Sequence, residues 1–120
     1  MESAVTQSIF VGRYTDPNHP GGTREIQLVP GAMTGSYRLA EVKGGGGRGE
    51  PANFTLPAII IEREPPKWGA RVGTAQICID FSVYPKNGPR DYIGTWDEKA
   101  GGIRFRGDNN LWPKQPICKL

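Results

Sequence analysis

Arg71 to Trp112 reads RVGTAQICIDFSVYPKNGPRDYIGTWDEKAGGIRFRGDNNLW, and its centre alternates. Ile77, Ile79 and Phe81 fall on one face and Gln76, Cys78, Asp80 and Ser82 on the other, the period of a half-buried strand from Thr74 to Ser82. Pro85, Asn87-Gly88 and Pro89 then turn the chain into a strand at Asp91 to Trp96, and Lys99-Ala100-Gly101-Gly102 turns it again into Ile103 to Arg106. Working outward, Ala58 to Glu62 is the most apolar run and predicts a central strand covered on both faces. Upstream, Ser8 to Tyr14, Thr23 to Val29 and Ser36 to Val42 predict three more strands, the second ending at a Pro30-Gly31 turn and the third following a bulge at Gly35. Arg24 stands at the open end of an inward face formed by Ile26 and Leu28.

No segment carries a helical apolar period over eleven or more residues, so the chain predicts an all-β fold. The topology with fewest long crossings is a small antiparallel meander of six to eight strands with Gly/Pro-rich loops, a closed or nearly closed β-barrel. One domain spanning residues 1–120 is expected, with residues 1–7 frayed and 113–120 a tail. The 17 glycines and 11 prolines suit the turns of such a barrel, because the apolar clusters between them are too regular for disorder.

A net charge of +3 with scattered lysines and arginines gives no basic stripe, and with no aromatic-basic platform it predicts no nucleic-acid partner. Cys78 and Cys118 are too few for a disulfide scaffold or a structural zinc site and read as a buried strand thiol and a free tail thiol. No apolar run is long enough to cross a membrane as a helix, and no targeting segment is visible. A soluble, cytoplasmic location is the expectation from the residues alone.

Gly44 to Pro51, GGGGRGEP, lacks the helix start and the Lys-Ser/Thr pair of a phosphate cradle and reads as a flexible surface loop. His19 is the single histidine, which excludes a histidine metal cluster and leaves one imidazole base. Between Asn18 and Pro20 its expected role, with Asp16, is to structure the loop; a small hydrolase or isomerase using His19 with Asp16 is the enzymatic alternative. Asp80 is expected to pair with an arginine such as Arg104, and no spacing among Asp80, Asp91, Asp97 and Glu98 selects a glycosidase pair. Arg106-Gly107-Asp108 reads as a turn. No catalytic set, metal or cofactor is expected.

Two resemblances bear on function. Gly31, Met33, Thr34, Gly35 and Tyr37 form a Gly-x-Met-Thr-Gly-x-Tyr strand that resembles the opening meander of avidin and lipocalin-like barrels, which implies a cup-shaped barrel. If its interior is unfilled, Phe10, Tyr14, Tyr37, Trp96 and Phe105 would line a site for a small apolar or pigment-like ligand. Second, Gly12-x-Tyr14-x-Asp16-Pro17-Asn18-His19-Pro20-Gly21, Ile79-Asp80-Phe81-Ser82, Gly94-x-Trp96 and Asn110-x-Trp112-x-Lys114 together look like an uncharacterised small β-domain family of plants and algae, mostly plastid proteins. That resemblance implies a non-enzymatic accessory subunit in the chloroplast, stromal or thylakoid-associated, docked on a larger complex such as a photosystem. Any membrane association would then be peripheral, through the partner. Trp68, Trp112, Arg48 and Arg106 are the expected docking residues, Trp68 being either an exposed anchor or a lid over one end of the core.

Overall fold

The computed structural model describes residues 8–34, 37–63 and 74–116. The expected frayed segment 1–7, the Gly35 bulge, Trp68 and Cys118 lie outside the described residues. Eight strands follow one another, β1 (Gly12–Tyr14), β2 (Thr23–Thr34), β3 (Tyr37–Gly45), β4 (Phe54–Arg63), β5 (Thr74–Ile79), β6 (Tyr92–Asp97), β7 (Gly102–Phe105) and β8 (Leu111–Pro113). Each pairs antiparallel with the next in a single sheet ordered β1 to β8. The sheet curls until its first and last strands meet at one bridge, Tyr14 opposite Lys114, where the Gln115 N–H donates to the Arg13 carbonyl at 2.7 Å. The result is an all-β, nearly closed eight-stranded antiparallel meander barrel.

Alternation decides which side chains fill it. Ile26, Val42, Leu56, Ala58, Ile60, Ile77, Ile79, Ile103 and Phe105 all point inward and are buried, joined by Phe10, Tyr14 and Trp112. Gly94 is needed among them, because a Cβ there would come within 2.5 Å of Ile103 Cγ2 and 3.0 Å of the Phe105 ring. The wall must therefore approach these two side chains without one of its own.

Several boundaries differ from the sequence expectation. β2 does not end at Pro30-Gly31; its pairing shifts register after Leu28 and resumes with Met33 opposite Arg38, so Pro30 falls where the ladder asks no N–H of it. Ser8 to Phe10 make a turn rather than the start of a strand, with the Val11 N–H donating to the Ser8 carbonyl. β5 stops at Ile79 because the Asp80 carboxylate accepts the Ser82 N–H and hydroxyl, a local bond that competes with the ladder. Asp80 is therefore not the partner of Arg104, which instead reaches Asp97 at 3.3 Å. β4 is covered on one face only: Leu56, Ala58 and Ile60 are buried while Ile59 is 41% exposed. The barrel offers a single interior, and nothing among the described residues packs over the outside of β4.

Candidate functional site

The turns after β1, β3, β5 and β7 all gather at one end of the barrel. They bring Asp16, His19, Arg48, Glu50, Lys86 and Asp108 there from distant parts of the chain. At its centre is Arg24, whose side chain is fully buried. Arg24 Nη2 donates to Glu50 Oε1 at 2.7 Å and to Asp16 Oδ2 at 3.1 Å, and Nη1 donates to Glu50 Oε2 at 3.0 Å. Its guanidinium also lies over the Phe54 and Trp112 rings, at 5.1 and 5.2 Å. Asp16 accepts further bonds from the Asn110 amide at 2.9 Å and the Asn18 N–H at 2.9 Å. Lys86 Nζ stands 3.6 Å from Glu50 Oε1 and over the Phe54 ring at 4.8 Å. Two cations and two carboxylates thus neutralise one another, as buried charge requires.

The Gly44 to Pro51 segment is not the loose surface loop its composition suggests. Gly47 is buried against the β1–β2 turn, where a Cβ would meet the His19 carbonyl oxygen at 2.4 Å. That close approach lets the Gly47 N–H donate to Glu50 Oε2 at 2.9 Å and the Arg48 N–H donate to the Pro20 carbonyl at 3.0 Å. His19 Nδ1 lies 2.9 Å from the Arg48 carbonyl oxygen. Because a carbonyl only accepts, Nδ1 carries the proton there, which leaves Nε2 as the ring's other hydrogen-bonding atom. His19 and Asp16 both make hydrogen bonds that tie the turn to its surroundings.

Burial alone would raise both carboxyls of the network. For Asp16 the bonds from Asn110 and Asn18 and the Arg24 charge outweigh it, and for Glu50 the bonds from Arg24 and Gly47 and the charges of Arg24 and Lys86 do so. Both are held below their ordinary values of 3.8 and 4.5. A carboxyl depressed by folding stabilises above its unfolded value and loses that contribution as pH falls through its folded one. The urea midpoint is therefore expected to stay level from pH 7 to about pH 5 and to fall below roughly pH 4. Glu50→Gln should be less stable at pH 7 and show a shallower acid decline than the native chain.

The second site is the outer wall. Leu39 faces Ile59, Tyr37 faces Ile61, Ile59 faces Cys78 and Cys78 faces Ile93, on the opposite face of their strands from the buried Ala40, Ala58, Ile60, Ile77 and Ile79. Together they form an apolar stripe across β3, β4, β5 and β6, with Tyr37 45%, Leu39 39% and Ile59 41% exposed. Cys78 sits in this stripe as a weakly acidic thiol, raised by burial and by the Asp91 and Asp80 carboxylates. The Arg106 N–H donates to the Ile93 carbonyl at 2.9 Å, which places exposed Arg106 at the margin of the stripe.

Of the residues singled out from sequence, Phe10, Tyr14 and Phe105 are core side chains packed against others, Trp96 is half-buried against Phe10, and Tyr37 points out of the barrel. They do not converge on one cup. Trp112 is 0% exposed at the centre of an aromatic cluster, so it presents no surface for docking. Arg48 and Arg106 are exposed at the loop end. Arg24 and Glu50, which organise that end, were not singled out as a pair. The only sequence signal was Arg24 on an otherwise apolar inward face, a position that demands a carboxylate partner. Among the described residues no group of three His, Cys, Asp or Glu could hold a metal ion, and no helix is long and apolar enough to cross a membrane. No protein-family description, curated protein or solved structure matches the chain.

Proposed function

We propose that this protein is a non-enzymatic accessory subunit that docks on a larger protein assembly, with the outer stripe of β3 to β6 as its principal contact. The observation that carries the reading is the uncovered outer face of β4, where Ile59 and its cross-strand neighbours Leu39 and Cys78 leave apolar surface in water. Burying a fully exposed Leu or Ile side chain is worth about 1.5–3 kcal/mol, so covering the exposed two-fifths of Leu39 and Ile59 adds roughly 1 kcal/mol each, and a contiguous apolar patch on a folded domain marks an interaction site. The exposed arginines of the loop end, Arg106 beside the stripe and Arg48 farther round, supply a charged rim. The resemblance to a plastid β-domain family supports a chloroplast assembly, such as a photosynthetic complex, as the partner.

Tagged protein recovered from its native cells under gentle lysis is expected to migrate with a large assembly. The double substitution Leu39→Lys, Ile59→Glu should release it as a free monomer, while its unfolding free energy stays within about 1 kcal/mol of the native chain, because the two new charges lie directly opposite across the ladder and attract. Migration of the unsubstituted protein as a free monomer would overturn the proposal.

A further inference from the structure

The loop end contains a cavity of about 400 Å³, between the four turns and above Arg24. That volume lies within the range of small-molecule sites, and in small barrels the mouth is where such sites form. Its chemistry narrows the occupant. Charge does not select a ligand, because Arg24 is already matched by Asp16 and Glu50, and Lys86 shares Glu50. An anion would have to break these pairs, and a metal ion finds no ligand set among the described residues.

What remains free is uncharged or singly available. The side-chain amides of Asn18 and Asn87 line the cavity with no hydrogen-bond partner among the described residues, offering donors and acceptors together. His19 Nε2 adds a further hydrogen-bonding atom. Asp108 contributes a carboxylate at the rim, held by the Tyr92 hydroxyl at 3.0 Å. Between these polar points lie the rings of Pro85 and Pro89 and the uncovered part of Tyr92, while Phe81 is buried beneath them with Lys86 over its ring at 5.5 Å. Tyr92 is itself fixed by stacking on Phe105 at 4.1 Å, so its position is set before any ligand arrives.

We propose that this cavity binds a neutral, hydroxyl-bearing ring, a saccharide of one or two units. Paired donors and acceptors match hydroxyls that both give and take hydrogen bonds, while the Pro85 and Pro89 rings beside Tyr92 offer a small apolar surface to the C–H face of a sugar ring. The site lies at the mouth, apart from the outer stripe, and stands independently of the docking role.

Saturation-transfer NMR on the whole chain, with glucose, galactose, mannose, maltose and cellobiose as probes, tests it. At least one sugar should receive saturation from the aromatic protons and shift the Asn87 and His19 resonances, with a dissociation constant in roughly the millimolar range or tighter. Asn87→Ala should weaken binding by about three- to tenfold, the loss of one or two uncharged hydrogen bonds, and leave the urea midpoint unchanged. Inorganic phosphate and methylammonium serve as charged probes. No response to any of the five sugars, or a response only to a charged probe, would overturn the assignment.

Discussion

Replacing Arg24 by Met is expected to cost about 3–5 kcal/mol, the range found when one member of a buried ion group is removed. The side chain is fully buried, and its loss leaves the Glu50 and Asp16 carboxylates facing each other in the barrel with no guanidinium between them. Lys86, at 3.6 Å from Glu50, lies on the far side and reaches one carboxylate only. Met fills much of the Arg24 volume against Phe54 and Trp112, so the loss reports charge rather than a cavity. Domains of this size are stable by about 5–15 kcal/mol in total, which places the variant near the edge of folding. Urea denaturation at pH 7 measures it. Adding Asp16→Asn to Arg24→Met should recover part of the loss, since Glu50 then has no second carboxylate facing it and keeps Lys86 as its counter-charge at 3.6 Å. A single variant within 1 kcal/mol of the native chain would mean that water reaches the network and screens it.

Trp112→Ala is the second large effect, also about 3–5 kcal/mol. The Trp112 ring meets Phe105 edge-on at 4.7 Å and Phe81 at 6.3 Å, and tilts toward Tyr14 at 6.4 Å. It lies under the Arg24 guanidinium as well, so one truncation opens a void in the core and uncovers the ion network. Trp112→Phe should recover most of the stability. Its smaller ring keeps the aromatic contacts and removes the indole N–H, which has no hydrogen-bond partner in the interior. Urea midpoints for the two variants decide it, and equal losses for Ala and Phe would place the energy in the indole's own geometry instead of the packed area.

The sequence carried the architecture well because alternation is a local signal. Ile77, Ile79 and Phe81 did turn inward, and the glycine turns did separate successive strands. It was poorer where tertiary contact overrides composition. Gly44 to Pro51 has the residues of a flexible linker, yet its glycines let the backbone press against the β1–β2 turn so that Glu50 can reach Arg24. The run Ile59 to Ile61 looks equally apolar throughout, and nothing local distinguishes the buried Ile60 from the exposed Ile59; only the curl of the sheet does. Trp112 is misleading in the same way, since a lone Trp between the Asn109-Asn110 pair and Pro113 has the composition of a surface tail. The ion network was half legible. Arg24 on an inward face called for a carboxylate, but Glu50 lies 26 residues away and only the fold joins them.

The bridge between Tyr14 and Lys114 also sets the order in which the barrel can form. Every other pairing joins strands adjacent in the chain, so seven hairpin contacts can zip up in sequence with short loops to close. The seam alone must bring together residues 100 positions apart, with a three-residue strand on either side to reward it. Closure is then the last event expected in folding and its reversal the first expected in unfolding, a curved open sheet giving way to a barrel when the two short ends meet.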